Sequence, residues 1–255
     1  LMITLSPTPT TDRPGEDMIT EQRFKDLERA AEALARDLSD CLAHAIEARG
    51  HGVIAVSGGR TPAFVFKHLR EANLDWSRIT VTLTDERWVP ETDPASNAAM
   101  VRRELLAGPA AAATFVPLYG GEPTPDAGHE ASQARLRKLS QNAGNMDQGE
   151  PKPIFDATYL GMGEDGHVAS LFPGDPEVET NNGLCIPVPA RSGRAARMSL
   201  TAPALRASRA LYLLYSGTEK HAQYLRAKQP GPIREIPLRL LVAKPGVNLK
   251  VLSTP

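Results

Sequence analysis

Apolar positions along this chain follow two periods. Short apolar or β-branched runs at 53–56, 79–84, 115–118, 154–160, 184–188, 196–201, 210–215 and 249–252 have the length of buried strands. Between them, apolar residues recur every three or four positions, the spacing that builds one face of a helix. The clearest such stretch is 20–49, where Phe24, Leu27, Ala31, Leu34, Leu38, Leu42 and Ile46 form the stripe and Gly50 closes it. Further helices are predicted from Pro62 with Thr61 as N-cap, over 98–106 behind Ser96-Asn97, over 127–140, over 203–207, from a Thr218 cap, and over 237–243. Strands alternating with helices specify an α/β fold with a mostly parallel sheet covered on both faces.

Chemistry gathers where these predicted strands end. After 53–56 comes Ser57-Gly58-Gly59-Arg60-Thr61-Pro62, a glycine turn running into a helix. The free N–H groups and dipole of a helix N-terminus favour an anion, and Ser57, Thr61 and Arg60 add donors of the kind phosphate attracts. The loop lacks the Gly-Lys-Ser/Thr ending of a Walker motif and the third glycine of a dinucleotide fingerprint. Asp85-Glu86-Arg87-Trp88 follows the run at 79–84. The stretch Tyr159-Leu160-Gly161-Met162-Gly163-Glu164-Asp165-Gly166-His167, continuing to Pro173-Gly174, leaves the run at 154–160. Its glycines let the backbone approach a ligand, and it carries a carboxylate, Asp165, and an imidazole, His167. Residues 168–172 are expected to form one helical turn. Lys220 falls in the first turn of the helix after Ser216-Gly217, a locally unfavourable place for a cation that an anion would compensate.

Composition narrows the classes. The 255 residues suffice for one large domain or two small ones, and 41% hydrophobic content supports a full core. A formal net charge of −1 without a basic stripe lacks the electrostatic footprint of a nucleic-acid binder. No apolar run approaches the roughly 20 residues that span a bilayer. Two cysteines, Cys41 and Cys185, fit buried free thiols better than a disulfide framework, so a cytoplasmic setting is expected. Residues 1–17, rich in Pro and Thr, are expected to be a disordered tail or a misplaced start, with Met18 as the expected true beginning.

Assembled in order, Ser57 to Pro62, Thr84 to Pro90, Ser96-Asn97, Gly161 to Gly174, Arg197 to Thr201 and Gly217 to Lys220 resemble the 6-phosphogluconolactonase family over roughly 22–228. Val168 stands where that family commonly has Thr. The resemblance implies a three-layer α/β/α fold like that of glucosamine-6-phosphate deaminases, one lactonase domain over 18–255, and hydrolysis of 6-phosphoglucono-1,5-lactone in the pentose phosphate pathway. It implies no cofactor and no metal. The implied partner is a phosphosugar lactone, with neither nucleic acid nor membrane. The oligomeric state stays open between a monomer and a weak homodimer.

Within that resemblance, His167 is the expected general base, since an imidazole titrates near neutral pH. Asp165 is expected to orient the imidazole or stabilise its cation, with Gly163 beside them in the binding loop. The loop Ser57, Gly58, Gly59, Arg60 and Thr61 is expected to hold the phosphate, with Arg197 and Lys220 as cationic partners. Arg87 is placed nearer the lactone carbonyl, with Asp85 and Glu86 fixing it or binding sugar hydroxyls. Ser57 and Ser170 compete as nucleophiles but lie in no Gly-x-Ser-x-Gly elbow. A glucosamine-6-phosphate deaminase is the nearest rival. Those enzymes follow the loop His with Ile-Ala-Phe-Asn-Glu-Pro, where this chain reads Val168-Ala169-Ser170-Leu171-Phe172-Pro173. A non-catalytic sugar-phosphate sensor is the other rival, and it calls for an attached DNA-binding module.

Overall fold

All eight apolar runs become strands, and two further strands appear among the described residues. The structure, a computed structural model, describes residues 19–142, 154–191, 193–243 and 247–255. The expected tail at 1–17, Met18 and the loop at 143–153 lie outside them. In chain order the elements are β1 (Ile19–Arg23), α1 (Leu27–Arg49), β2 (Gly52–Val56), α2 (Arg60–Leu69), β3 (Ile79–Leu83), β4 (Asp85–Arg87), α3 (Asn97–Glu104), β5 (Thr114–Val116), α4 (Pro125–Asn142), β6 (Phe155–Leu160), β7 (Cys185–Val188), β8 (Arg197–Leu200), α5 (Ala202–Arg206), β9 (Ser208–Ser216), α6 (Thr218–Ala227), α7 (Arg239–Val242) and β10 (Leu249–Thr254). Short 3₁₀ turns at Trp76–Arg78, Gly108–Ala112 and Pro176–Glu179 join some of them.

Seven strands form one sheet in the order β1-β10-β9-β6-β2-β3-β5, and every neighbouring pair is parallel. Helix α1 packs against β2, β6, β9 and β10 with α2 beside it, while α5 and α6 pack on β9. Leu34, Leu38 and Leu42 of α1 and Ile54 of β2 are fully buried, as the sequence periodicity requires. This is the mostly parallel sheet flanked by helices that the alternation predicts.

Three local expectations change. Residues 19–23 are an edge strand paired with β10, so α1 starts only at Leu27 behind an Asp26 cap that accepts from the Arg29 N–H at 2.9 Å. Four of the five β1 residues are exposed, and so the strand carries no alternating apolar signal. Residues 168–172 form no helical turn. Val168 and Leu171 bridge each other, and Ala169 takes φ +49° at the bend. Finally, β4, β8 and β7 make a separate three-stranded antiparallel sheet.

The sheet order explains where a ligand goes. From β2 the chain moves outward through β3 to β5, whereas from β6 it moves the other way through β9 to β10. The order reverses between β2 and β6, and loops leaving their carboxyl ends diverge there to open a crevice. Val56 pairs with Tyr159, and the Ser57 N–H donates to the Tyr159 carbonyl at 3.0 Å. The two glycine loops therefore start level and side by side.

Candidate active site

A cavity of about 400 Å³ lies in that crevice, within the roughly 300–1,000 Å³ of small-molecule sites. The Ser57–Pro62 loop, Gly161, Gly163 and His167 of the loop after β6, and Asp85, Arg87, Arg197 and Lys220 line it. All the predicted site residues except Asp165 and Glu86 line it.

The first loop presents an open helix end. The turn is made by Gly59, whose φ of +116° suits glycine alone. Gly58 has a different constraint: a Cβ there would sit 2.0 Å from Asn97 Oδ1. Gly59, not Thr61, is the N-cap of α2, and no side chain caps it. Thr61 instead lies inside the first turn. The first-turn N–H groups of α2 are thus left for an outside acceptor, and Arg60 and Thr61 stand at the same end. Lys220 faces this cavity from α6, whose N-cap is likewise a glycine, Gly217 at φ +105°, in place of the expected Thr218. Lys220 makes no hydrogen bond or ion pair among the described residues.

The second loop holds the imidazole. Asp165 Oδ1 lies 2.6 Å from His167 Nδ1 and also accepts from the His167 backbone N–H at 3.1 Å. Partial burial pushes the Asp165 carboxyl up, but hydrogen bonding and charge at His167 outweigh it and hold the carboxyl below its usual range. As a carboxylate, Asp165 can only accept, so Nδ1 carries a proton and, in the neutral ring, Nε2 is the nitrogen with the lone pair. A turn closes beneath: the Gly163 N–H donates to the His167 carbonyl, and the Gly166 N–H donates to the Gly163 carbonyl, both at 3.0 Å. The His167 side chain is 29% exposed, enough for water to reach it.

The wall between the loops is a buried polar network. The Ser170 hydroxyl donates to Asp85 Oδ2 at 2.6 Å, and Arg197 Nη1 donates to Ser170 Oγ at 3.3 Å. Arg197 also stands 3.7 Å from Asp85. Burial lowers the pKa of the Arg197 guanidinium, with Asp85 acting the other way. The other carboxylate oxygen, Asp85 Oδ1, accepts from Thr84 at 3.3 Å, and Thr84 Oγ1 shares a hydrogen bond with Ser57 Oγ at 2.8 Å. Arg87 is opposite Arg197 in the β4–β8 ladder and donates to the Ala95 carbonyl at 2.7 Å. Both arginines bury an Nε with no partner among the described residues.

Glu86 is the one predicted binding residue that the structure takes away from the cavity. Its side chain is fully buried and points to the start of α3. It accepts the backbone N–H groups of Asn97 and Ala98 at 2.7 Å and of Arg87 at 2.8 Å. Burial pushes its carboxyl up to about 7, against those donors. Alternation along β4 explains the split, because neighbouring strand residues point to opposite faces. Asn97 was legible only as part of a cap, yet it lines the cavity and donates to the Asp85 carbonyl at 2.9 Å. Neither Ser57 nor Ser170 makes a hydrogen bond to His167, and Ser170 is fully buried against Asp85. No serine–histidine nucleophile pair is therefore formed.

Comparison with known proteins places these features in context. The family described as glucosamine-6-phosphate isomerases/6-phosphogluconolactonase matches residues 25–249. The chain is 37% identical to a 6-phosphogluconolactonase of Pseudomonas aeruginosa over 84% of its own length and 87% of the relative's. It is 37% identical to one of Rhizobium meliloti over 91% and 97%. A crystal structure of a 6-phosphogluconolactonase from Shewanella baltica superposes with a TM-score of 0.84 at 30% identity, covering 94% of this chain and 99% of that one. A monomeric glucosamine-6-phosphate deaminase shares the fold at a TM-score of 0.70 and 17% identity.

Proposed function

The chain belongs to the glucosamine-6-phosphate isomerase/6-phosphogluconolactonase family, and from that premise we propose that it hydrolyses 6-phosphoglucono-1,5-lactone with His167 as general base. The observation that carries the mechanism is the shared cavity: an uncapped helix end with free cations faces an imidazole whose Nε2 lone pair is available.

The phosphate sits at the N-terminus of α2, where first-turn N–H groups, Thr61, Arg60 and Lys220 converge on negative charge. The acyl carbon then lies toward the His167 side. Nε2 takes a proton from a water as its oxygen adds to C1. Arg87 and Arg197 supply positive charge to the oxygen that becomes anionic in that step. The C1–O5 bond then breaks, the ring oxygen takes the proton from Nε2, and 6-phosphogluconate leaves with His167 regenerated. Asp165 keeps the proton on Nδ1 and stabilises the imidazolium between the two transfers. Asp85 acts behind the scene, holding Arg197 and Ser170 in register. General-base assistance is typically worth ~10²–10⁴-fold, which suits a δ-lactone, an ester already prone to hydrolysis.

Lys220→Ala tests the phosphate end. It is expected to raise KM by about tenfold or more, the scale of one lost charge-assisted hydrogen bond, while kcat falls less. An unchanged KM rejects this assignment of the phosphate site.

A further inference from the structure

We propose that Phe172 is a positioning residue that fixes the ring of His167, and that Arg194 holds Phe172 against it; the proposal rests on the reading of His167 as the base. A single hydrogen bond from Nδ1 to Asp165 leaves an imidazole free to tilt about that bond. A second surface is needed to aim Nε2, and Phe172 provides it. Its ring centroid lies 4.4 Å from that of His167, with the two planes at 37°. They stand five positions apart in sequence. The bend that brings them together contains Ala169 at φ +49°, the one non-glycine with positive φ among the described residues, and such strain persists only where surrounding contacts enforce it.

Phe172 is braced in turn. The Arg194 guanidinium carbon stands 3.8 Å from its ring centroid and that of Arg197 5.1 Å, both within cation–π range. The Arg194 Nε is buried with no hydrogen-bond partner among the described residues. Arg194 is anchored by an ion pair to Asp175. Arg191 bonds Asp175 at 3.1 Å and Glu177 at 3.0 Å, and both carboxylates are largely buried. Arg191 and Arg194 also exchange backbone hydrogen bonds at 3.0 and 2.8 Å. The turn is thereby a latch, and Asp175 and Glu177 belong to the chain that has just left the His167 loop. A phenylalanine that only filled the core would need neither the imidazole contact nor an ion-paired arginine on its ring.

The test compares full-length wild type, His167→Ala, Phe172→Leu, Phe172→Tyr and Arg194→Met for turnover of fresh 6-phosphogluconolactone, normalised to folded protein by thermal melts. Leucine keeps apolar bulk but loses the flat ring. Phe172→Leu is expected to lower kcat about tenfold or more with KM within about threefold, the signature of a misaimed catalytic group. Phe172→Tyr, which keeps the ring, recovers most of that loss. Arg194→Met lowers kcat by a smaller factor at unchanged KM, and it serves if the leucine variant fails to fold. The proposal is overturned if Phe172→Leu or, failing that, Arg194→Met turns over at the wild-type rate while His167→Ala is inactive. It is also overturned if tyrosine loses as much as leucine. An active His167→Ala instead rejects the reading on which the proposal rests.

Discussion

His167→Ala lowers kcat for 6-phosphogluconolactone by roughly 10²–10⁴-fold, the usual worth of a positioned general base, and leaves KM within about threefold. The asymmetry follows from the layout. His167 lies on the loop after β6, whereas the groups proposed to take the phosphate belong to the α2 N-terminus and to α6. Removing the imidazole deletes the proton acceptor without touching the anchor. Its backbone carbonyl still accepts from Gly163, so the loop keeps its turn. Steady-state kinetics above the spontaneous background checks this. A variant with wild-type kcat means that the water is activated by some other group.

Gly163→Ala is expected to lower kcat by about a hundredfold with little change in thermal stability, because a misplacement of about 1 Å can cost that much. A Cβ at Gly163 would fall 2.1 Å from His167 Nδ1 and 2.6 Å from Asp165 Oδ1. Position 163 needs no positive φ, so alanine fits the backbone. Both clashing atoms belong to partly exposed side chains that can swing aside. Their displacement relieves the clash at small cost to folding, but it breaks the 2.6 Å bond that aims the ring. Kinetics together with a melting curve separates the two effects. Full activity in this variant contradicts the geometry of the Asp165–His167 pair.

Local signals in the sequence go far toward this site, and their failures have physical causes. Gly58-Gly59 and Gly161 to Gly166 stand out because tight turns against a ligand restrict residue choice strongly, and both follow runs that do form β2 and β6. The level start of the two loops depends on β2 pairing with β6, about a hundred residues apart, and no local pattern carries that. The same holds for β4, a three-residue strand fixed by its pairing with β8. Without that ladder, Asp85 and Glu86 read as carboxylates of one shared role, and the structure turns Glu86 into the anchor of α3. Thr61 and Thr218 have the chemistry of caps, but Gly59 and Gly217 take the cap positions at positive φ. Phe172 reads only as the end of an expected helical turn, because its meeting with His167 depends on the bend at Ala169.

The most direct measurement compares 6-phosphogluconolactone with unphosphorylated gluconolactone, both freshly made and followed at mildly acidic pH against their spontaneous hydrolysis. The proposed division of labour, a phosphate held by one loop and an imidazole aimed by the other, predicts marked acceleration of the phosphorylated lactone and a kcat/KM at least about a hundredfold lower for the unphosphorylated one. Equal kcat/KM for the two lactones, or no acceleration of the phosphorylated one, would contradict the account.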